Sequence, residues 1–383
     1  MAPTRKSHQR VPGPWLQSLN ELVHTPPVSF VAYGIFWAFI LIVASPVVGI
    51  VLLFVTVLRL CWYAVSGRHA TIDTTDKQLA IVVTGCDTGF GCSLAFEMAS
   101  KGYVIFAGCL NKESMKQYEG HSNIFPLKMD VTKEDEVKNA AVVVNKWINE
   151  NTTAELTTSP RLLHAVVNNA GIGSGGLIDW LDISVFRKDM EVNYFGMVST
   201  VKAFLPILKK QACSQDHKDA RIVNVVSMAG LVAAGFGSTY HGSKFAAEGF
   251  SICLRHEMDA FDIDVITVNP SFHETPLTDK MPQFCNDTWN NLDPKVREEY
   301  GEEFFAQTYR IAVDLPADVM WSAKHVVDAL VRSLTLVSPP SQMIVGSDAK
   351  FGYLLNRHLP VWLQDKIIKI ATGRNVKPAT MTR

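Results

Sequence analysis

Tyr240 and Lys244 are the two residues of this chain whose types and spacing point most directly to chemistry. Residues four apart on a helix share one face, so the lysine ammonium would lie beside the tyrosine phenol. A positive charge there favours the phenolate and lowers the pKa of the tyrosine below its usual value of about 10. A pair with this spacing also occurs by chance on solvated helix faces. If the pair is functional, Tyr240 exchanges a proton with a substrate.

A glycine-rich run lies far upstream of this pair. It follows an apolar stretch, residues 79–83, that is typical of a strand buried on both faces, and it leads into a predicted helix over 89–100. Glycine adopts the positive φ of a tight turn and lets the backbone approach a ligand closely, and the free N–H groups of a helix start bind phosphate. The run therefore predicts a cradle for a dinucleotide pyrophosphate. Its residues are Thr84, Gly85, Cys86, Asp87, Thr88, Gly89, Phe90 and Gly91.

The remaining polar motifs follow the cradle in a characteristic order. An Asn-Asn-Ala-Gly motif containing Asn169 comes first, then Asn193, then Ser227, and finally Tyr240 with Lys244. In this order and spacing the chain resembles the short-chain dehydrogenase/reductase family over residues 78–346. The resemblance implies a Rossmann-type domain that moves a hydride between a nicotinamide cofactor and an alcohol or carbonyl.

The resemblance also implies roles for four catalytic residues. Tyr240 would be the general base in alcohol oxidation, or the acid in carbonyl reduction, and Lys244 would lower its pKa and hold the nicotinamide ribose. Ser227 would bind the substrate oxygen and stabilise the charge that develops there. Asn193 would position a water in a proton relay; the alternative for Asn193 is a polar residue that bonds the backbone inside a helix. His241 is expected to be structural.

Several residues outside the tetrad would bind the cofactor. By resemblance, Asp130 would lie near the adenine, unless it is merely a turn residue at the end of a strand. Asn169 would help to form the cofactor pocket, and Thr275 would bond the nicotinamide carboxamide. The chain departs from the family where Pro270-Ser271 replaces the usual Pro-Gly, so the local nicotinamide contact is expected to differ.

The cofactor is predicted to be NAD rather than NADP. A 2′-phosphate needs a basic partner, but the cradle contains no Lys or Arg, and Asp87 would repel a phosphate. The acid that usually binds the ribose at the end of the second strand is missing, because Cys109, Leu110 and Asn111 occupy that place. Lys112 follows closely and weakens the argument.

Apolar strands alternate with longer helical stretches, which predicts an α/β fold with a doubly wound parallel sheet. One helix is expected over 132–150, with Thr132 as its N-cap and Asp135 completing an acidic capping box. The catalytic helix is expected over 238–261, and residues 271–314 form a segment long enough for a lid. The expected strands are residues 79–83, 103–109, 124–130, 162–168, 221–227 and 265–269.

Charge and cysteine content exclude several classes of function. The formal net charge of −1 over 383 residues gives no electrostatic basis for binding nucleic acid. The seven cysteines are scattered and none forms a Cys-x-x-Cys pair, so neither a metal site nor a disulfide framework is expected. They are predicted to be reduced and mostly buried.

The N-terminal part predicts attachment to a membrane. After a polar tail, residues 1–24, the run 25–58 contains no Asp, Glu, Lys, Arg or His. A single span needs about 20 apolar residues, so the anchor, residues 25–65, would hold one or two spans divided near Pro46. A polar linker, residues 66–77, leads to the catalytic domain. We expect the endoplasmic reticulum, with a mitochondrial membrane as the alternative, and the positive charges on both sides of the run leave its orientation open.

Finer resemblance narrows the family to a branch. The Thr-Gly-Cys-Asp-Thr-Gly-Phe-Gly cradle, the Phe-Ala-Gly-Cys-Leu strand at 106–110 and the Pro-Lys-Val-Arg-Glu-Glu-Tyr-Gly stretch at 294–301 are similar to membrane-bound 17β-hydroxysteroid and retinol dehydrogenases and to 3-hydroxybutyrate dehydrogenase. A lipophilic, steroid-like substrate is favoured. Retinol and 3-hydroxybutyrate are rivals, and His273 and Gln283 are candidate contacts for a small carboxylate. A scaffold that binds NAD without catalysis is a hypothesis of another class.

Two further surfaces are expected to have partners. The C-terminal extension, residues 347–383, is strongly apolar and either dips into the bilayer surface, with Lys366 and Lys369 facing head groups, or packs against the domain. The family resemblance implies a homo-oligomer that pairs through the helices around Asn193 and Tyr240.

Overall fold

The computed structural model describes residues 37–38, 50, 53–58, 70–73, 76–150, 159–213, 219–312, 320–371 and 377–381. The predicted N-terminal tail lies outside these residues, as does most of the predicted anchor and part of the linker. Among the helices that these ranges contain, none combines the length and the apolar character that crossing a bilayer requires.

A parallel sheet of seven strands forms the centre of the domain, in the order β3-β2-β1-β4-β5-β6-β7. Its apolar strands are buried on both faces: four consecutive residues of β1, from Ala80 to Val83, have no exposed surface. The predicted doubly wound parallel sheet is confirmed. The strands are β1 Gln78–Thr84, β2 Val104–Cys109, β3 Ile124–Lys128, β4 Arg161–Asn168, β5 Arg221–Val225, β6 Asp264–Pro270 and β7 Gln342–Val345.

Helices cover both faces of the sheet because each strand presents apolar side chains to both sides. One core holds Leu94 and Met98 against the sheet, and a second core on the other face holds Val144, Phe204 and Leu208. The helices are α1 Gly89–Ser100, α2 Lys112–Met115, α3 Glu134–Asn149, α4 Ile183–Met190, α5 Gly196–Cys213, α6 Ser238–Met258, α7 Pro276–Asn290, α8 Pro294–Tyr300, α9 Glu302–Ala312, α10 Lys324–Thr335, α11 Ser347–His358 and α12 Val361–Ala371.

The strand order reverses between β1 and β4, and this reversal fixes where a ligand binds. The chain moves outward from β1 through β2 to β3, then returns to the other side of β1 with β4. Ligands of open α/β sheets bind in the crevice outside the carboxyl ends of the strands at such a switch point. The glycine-rich run follows β1 and the Asn169 motif follows β4, so both lie at this crevice.

The start of α3 differs from the prediction. The helix begins at Glu134, its N-cap is Lys133, and no side chain caps it. The Thr132 hydroxyl instead donates to Asp130 Oδ1 at 2.7 Å, and Asp130 Oδ1 also accepts from the Thr132 backbone N–H at 3.0 Å. Thr132 is thus used in the turn after β3, because an aspartate two residues earlier competes for its hydroxyl.

The chain enters the domain at the end of the sheet opposite the crevice. Thr71 forms an antiparallel bridge with Leu336, just after α10. The Ile72 N–H donates to Thr335 O at 2.8 Å, and the Val337 N–H donates to Ala70 O at 2.9 Å. The part of the linker that is described is therefore held to the domain by backbone hydrogen bonds.

Two valines of α3 allow a matched test of how the helix is held. Val144 is completely buried, whereas Val142 is 66 % exposed. We expect Val144→Ala to lower the free energy of unfolding by about 2 kcal/mol, because it removes two buried methyl groups and leaves a cavity. Val142→Ala should change it by less than about 0.5 kcal/mol. Chemical denaturation of the full chain in detergent measures both, and equal losses would contradict this packing of α3.

Candidate active site

The glycine-rich run forms a cradle whose shape depends on the absence of side chains. Gly85 and Gly89 adopt φ of 70° and 63°, in the left-handed region. A Cβ atom on Gly91 would lie 2.5 Å from both Asn169 Nδ2 and Gly85 O. Because α1 begins at Gly89, its first N–H groups point into the space that this turn leaves open. The cradle therefore fits a dinucleotide phosphate.

Asn169 holds the two sides of the crevice together. Its Nδ2 donates to Thr84 O at 2.9 Å and to Gly85 O at 3.0 Å. In return, the Thr84 hydroxyl oxygen accepts the backbone N–H groups of Asn169 and Ala170, each at 3.0 Å. Asn169 thus fixes the turn after β1 to the turn after β4, and its amide lies within the cradle.

Asp87 lies between the cradle and the end of β2. Its Oδ2 accepts the Leu110 N–H at 2.8 Å, and its Oδ1 accepts the Asn111 N–H at 2.9 Å. The carboxylate therefore stands where the β2 strand ends, which is the place of the missing ribose-binding acid. An acid from the cradle supplies the negative charge that β2 itself does not carry.

The other predicted cofactor residues lie around the same crevice. Phe90 is in the first turn of α1, with its ring centroid 6.1 Å from that of His273. Thr275 is the N-cap of α7, and its N–H donates to Thr278 Oγ1 at 3.2 Å. Asp130 lies at the turn after β3 and accepts from Thr132, so in this structure it makes the contacts of a turn residue.

Ser271 fits in the position of the usual family glycine because a glycine faces it. A Cβ on Gly346, which has φ of 106°, would lie 2.1 Å from Ser271 Oγ. Ser271 Oγ is buried and accepts or donates no hydrogen bond within the described residues. The backbone there continues β6 regularly, since the Ser271 N–H donates to Val345 O at 2.9 Å.

Ser227 and Tyr240 meet at the carboxyl ends of β5 and β6. Ser227 follows β5, and its Oγ accepts the Ala229 N–H at 3.1 Å. Tyr240 lies in the first turn of α6, where the Ser227 hydroxyl lowers the pKa of its phenol. The His241 ring contacts the backbone, with Nδ1 3.0 Å from Ala229 O. This contact agrees with the structural role expected for His241.

Lys244 and Asn193 are the other two residues of the tetrad. Lys244 is 4 % exposed, and its Nζ donates to Val225 O at 3.2 Å and lies 5.7 Å from the centroid of the Tyr240 ring. Asn193 Oδ1 accepts the Ile172 N–H at 2.9 Å, and its Nδ2 donates to Ile172 O at 2.8 Å and to Ser243 Oγ at 2.9 Å. All four predicted catalytic residues therefore lie around one point.

Asn193 lies in a π-helical segment, Glu191–Phe195, between α4 and α5. Such segments insert one extra residue into a helix and occur frequently at functional sites. The wider turn lets the Asn193 amide bind both backbone atoms of Ile172. The sequence analysis did not predict this segment, because its residues have no pattern that separates a π-turn from an α-turn.

The pKa values of Tyr240 and Lys244 differ from the expectation that the lysine lowers the pKa of the tyrosine. Burial raises the pKa of Tyr240 above its usual value, and the hydrogen bond with Ser227 only partly offsets this. Burial also lowers the pKa of Lys244 to about 8. The sequence predicted that the lysine would lower the pKa of the tyrosine, but desolvation dominates in the protein alone, since both groups lose contact with water.

Sequence reasoning missed two buried carboxylates near the tetrad. Glu248 accepts Asn269 Nδ2 at 2.9 Å, and the same amide donates to Ser227 O at 3.1 Å. Asp189 has no exposed surface and accepts the Ser174 hydroxyl at 2.9 Å. The sequence signal for both is their spacing: Glu248 lies four residues after Lys244, and Asp189 lies four residues before Asn193.

No cluster of metal-ligating side chains occurs among the residues the structure describes. Cys86, Cys109 and Cys285 are buried, Cys92 is partly buried, and Cys213 and Cys253 are exposed, all of them free thiols. Cys61 lies outside the described ranges. The cysteines that can be located thus act as packing residues or surface thiols.

Known proteins resemble this chain in sequence and in fold. The family model described as short chain dehydrogenase matches residues 79–286. Bovine (Bos taurus) dehydrogenase/reductase SDR family member 9 is 32 % identical over 299 residues, covering 77 % of this chain and 88 % of the relative. Bovine 17-beta-hydroxysteroid dehydrogenase type 6 is 30 % identical, covering 75 % and 87 %. Bovine mitochondrial D-beta-hydroxybutyrate dehydrogenase is 31 % identical, covering 70 % and 77 %.

Solved structures share the fold. A short chain dehydrogenase from Burkholderia cenocepacia J2315, in complex with NADP, has a TM-score of 0.56 at 21 % identity, covering 76 % of this chain and 98 % of that one. A short chain dehydrogenase/reductase from Burkholderia phymatum, in complex with NAD, also has a TM-score of 0.56, at 19 % identity and with 80 % and 99 % coverage. With the match of the family model and the three relatives, these findings identify the chain as a member of the short-chain dehydrogenase/reductase family and an oxidoreductase of the CH–OH class.

Proposed function

We propose that this protein is a membrane-bound, NAD-dependent oxidoreductase that converts a secondary hydroxyl of a lipophilic, steroid-like substrate to a ketone, reversibly. The proposal rests on one observation: Ser227, Tyr240 and Lys244 converge at the carboxyl ends of the central strands, beside a cradle shaped for a dinucleotide. Retinol and 3-hydroxybutyrate are the alternative substrates. A scaffold that binds NAD without catalysis is less favoured, because the tetrad is complete.

Tyr240 carries the proton in the proposed reaction. Its phenolate would accept the hydroxyl proton of the alcohol, while Ser227 donates a hydrogen bond to the same oxygen and stabilises the charge on it. Lys244 would support the phenolate by its charge and bind the nicotinamide ribose. Asn193 would hold the end of a proton relay by fixing the Ile172 backbone. The nicotinamide supplies the hydride acceptor, and its positive charge further favours the phenolate.

The cofactor would lie along the switch-point crevice. The turn containing Gly85, Gly89 and Gly91 would hold the pyrophosphate, next to the Phe90 backbone. Asn169 would line the middle of the pocket and Thr275 its nicotinamide end. Asp130 would lie towards the adenine, although its hydrogen bonds with Thr132 equally suit a turn residue.

Replacing Tyr240 tests the catalytic proposal. Tyr240→Phe should lower kcat by about 10²- to 10⁴-fold, because the general acid–base group is lost. The Kd for NAD should change little. The control is Tyr103→Phe, a buried tyrosine at the other end of the sheet. NADH production by the full chain in detergent, with estradiol, testosterone, retinol and 3-hydroxybutyrate as substrates, measures the rates.

A preference for 3-hydroxybutyrate in this assay would replace the steroid with a ketone-body substrate and favour a mitochondrial membrane. Full biological activity of Tyr240→Phe would support the scaffold hypothesis instead.

NAD is favoured over NADP because of Asp87. The two N–H groups of the β2 end hold its carboxylate at the place where the adenine ribose of related enzymes is bound. A 2′-phosphate there would meet a negative charge at close range. Lys112 begins α2 near this point and is exposed. Among the described residues no ion pair joins it to Asp87.

Removing this charge should relax the cofactor preference. Asp87→Asn keeps an oxygen for one of the N–H groups, and we expect it to raise the ratio of kcat/KM for NADP to that for NAD by about tenfold, equivalent to 1.4 kcal/mol. Glu97→Gln, which removes an exposed carboxylate at the far end of α1, is the control. An unchanged ratio in Asp87→Asn would place the discrimination elsewhere.

A buried aromatic cluster holds the segment predicted as a lid against the domain. The segment predicted as a lid contains α7, α8 and α9, and it packs on Trp180. The ring centroids of Trp180 and Trp289 are 5.1 Å apart, and those of Trp289 and Phe305 are 4.5 Å apart and parallel. An apolar support of this kind suits a site for a long apolar molecule.

His273 and Gln283, the two candidate contacts for a small carboxylate, also favour a steroid-like substrate over 3-hydroxybutyrate. His273 is 2 % exposed, and its Nδ1 lies 3.1 Å from Ser271 O. Burial lowers the pKa of His273, which favours its neutral form. Gln283 is exposed on α7. Neither side chain offers a charged contact to a carboxylate at the tetrad, so 3-hydroxybutyrate is the weaker candidate.

The chain is proposed to consist of the tail, the anchor and the linker at 1–24, 25–65 and 66–77, a catalytic domain over 78–346, and the C-terminal extension over 347–383. In the extension, Val361, Trp362 and Ile370 are 69, 67 and 71 % exposed. Lys366 and Lys369 lie on the same helix. This arrangement fits contact with the lipid surface, and the proposed location is the endoplasmic reticulum.

One residue of the anchor supports this membrane face. The Trp37 ring lies 5.7 Å from the His358 ring, edge to face, at the end of α11. The same helix contacts the loop that follows Ser227, since Asn356 Nδ2 donates to Leu231 O at 3.1 Å. The extension would thus lie between the bilayer and the mouth of the active site, where lipophilic substrates are concentrated.

Exposed apolar residues of α12 test the membrane contact. Val361→Ser with Trp362→Ser should raise KM for a lipophilic alcohol several-fold in lipid vesicles, because the mouth loses its contact with the lipid phase. In detergent the KM should stay near that of the wild type. Val142→Ser, at an exposed valine of α3, is the control. Equal KM values in vesicles would contradict the proposal.

Self-association would use the outer surface of α6 and of the π-helical segment Glu191–Phe195. Phe245 and Ile252 lie seven residues apart on α6 and are each 43 % exposed, and Phe195 is 49 % exposed. Residues with this spacing share a helix face. A second copy of the chain covering this apolar face would form the proposed homo-oligomer.

A further inference from the structure

A buried carboxylate lies next to the catalytic residues without a full set of partners. Asp189, in the last turn of α4, has no exposed surface. Its Oδ1 accepts the Ser174 hydroxyl at 2.9 Å, and its Oδ2 has no hydrogen-bond partner within the described residues. An unpaired buried carboxylate destabilises a fold, so its presence needs an explanation.

Two hydrogen bonds connect Asp189 to the start of the catalytic helix. Ser174 donates to Asp189, and the Thr239 hydroxyl donates to Ser174 O at 3.1 Å. Thr239 directly precedes Tyr240. One turn further along, Asn193 connects to Ile172 and Ser243 in the same way. The loop that follows the Asn169 motif is thus held between α4 and α6 at two points, one of them charged.

The charge of Asp189 acts on both members of the catalytic pair. It raises the pKa of Tyr240 and that of Lys244, since a negative charge in a poorly solvated region disfavours loss of a proton from either group.

The groups facing Asp189 come from three elements. Thr239 acts on it from α6, where its charge in turn acts on Tyr240 and Lys244; Ser174 contacts it from the loop after β4, and Lys188 acts on it from its own helix. Burial raises the pKa of Asp189, whereas the hydroxyl groups of Ser174 and Thr239 and the charge of Lys188 lower it. Burial outweighs these contacts, so the pKa of Asp189 lies above its usual value, and the hydroxyl contacts offset part of this rise in favour of the carboxylate.

We propose that Asp189 is a positioning residue whose negative charge holds protons on Tyr240 and Lys244 and so sets the pH range in which the pair works. The inference rests on the proposed function of that pair. With the carboxylate present, Tyr240 keeps its proton to a higher pH and stays available to protonate a carbonyl, and alcohol oxidation, which needs the phenolate, requires a higher pH. The ammonium of Lys244 is also retained in a site closed to water.

A charge-removing variant separates this role from simple packing. Asp189→Asn has the same shape and keeps an oxygen to accept from Ser174. Glu191→Gln removes one exposed carboxylate two residues further along and is the matched control for net charge.

The first measurement is kcat/KM for alcohol oxidation against pH, with the full chain in detergent. In Asp189→Asn both limbs of the profile should move to lower pH by roughly one unit, the size of effect that one nearby charge has. One unit below the wild-type midpoint of the acid limb, the variant should therefore be roughly fivefold faster, and the ratio should approach tenfold at still lower pH. Glu191→Gln should match the wild type.

A second measurement needs no substrate. The Kd for NAD, followed by quenching of tryptophan fluorescence, should fall as Tyr240 ionises, and Tyr240→Phe should abolish this pH dependence. In Asp189→Asn the inflection should move to lower pH by the same amount. This result would support the inference even if none of the tested alcohols were oxidised, so the two proposals fail separately. Unmoved limbs and an unmoved inflection in Asp189→Asn would overturn the inference, and so would the same shift in Glu191→Gln.

Discussion

The connection between the ends of β1 and β4 is the constraint on which the site depends. The Thr84 hydroxyl accepts two N–H groups from the turn after β4, and the Asn169 amide donates to two carbonyl groups of the turn after β1. These four hydrogen bonds hold two loops together across a crevice that must stay open to a ligand. The loop that continues from Asn169 then reaches Asn193 and Tyr240, so the cofactor side and the proton side share one support.

The second constraint is the burial of charge. Lys244 and Asp189 are nearly or fully removed from water, and Tyr240 is partly buried near Lys244. Each of these groups is easily shifted between its charged and neutral forms because the interior does not screen its neighbours. A reaction that moves one proton can use this sensitivity, since small changes of charge in the crevice alter the protonation of the whole set.

Much of this arrangement could be predicted from the sequence, for physical reasons. Glycine at 85 and 89 was recognisable because no other residue suits the turn, and the buried strands because their apolar residues are continuous. The seventh strand has only four residues, too few to form a pattern. The prediction of Thr132 as an N-cap was wrong because Asp130 accepts the hydrogen bond of the threonine hydroxyl. The π-helical segment and Asp189 depend on contacts between distant parts of the chain, which no local pattern contains.

The fit between Ser271 and Gly346 has a consequence for how such a chain can change over evolutionary time. The positive φ of Gly346 keeps that position free of a side chain, and this empty volume is what the serine hydroxymethyl fills. The two positions are therefore not independent: a serine could be accepted at 271 only in a background with glycine at 346. A relative that carries a larger residue at 346 would have to keep the glycine at 271, so the identity of each position restricts the history of the other.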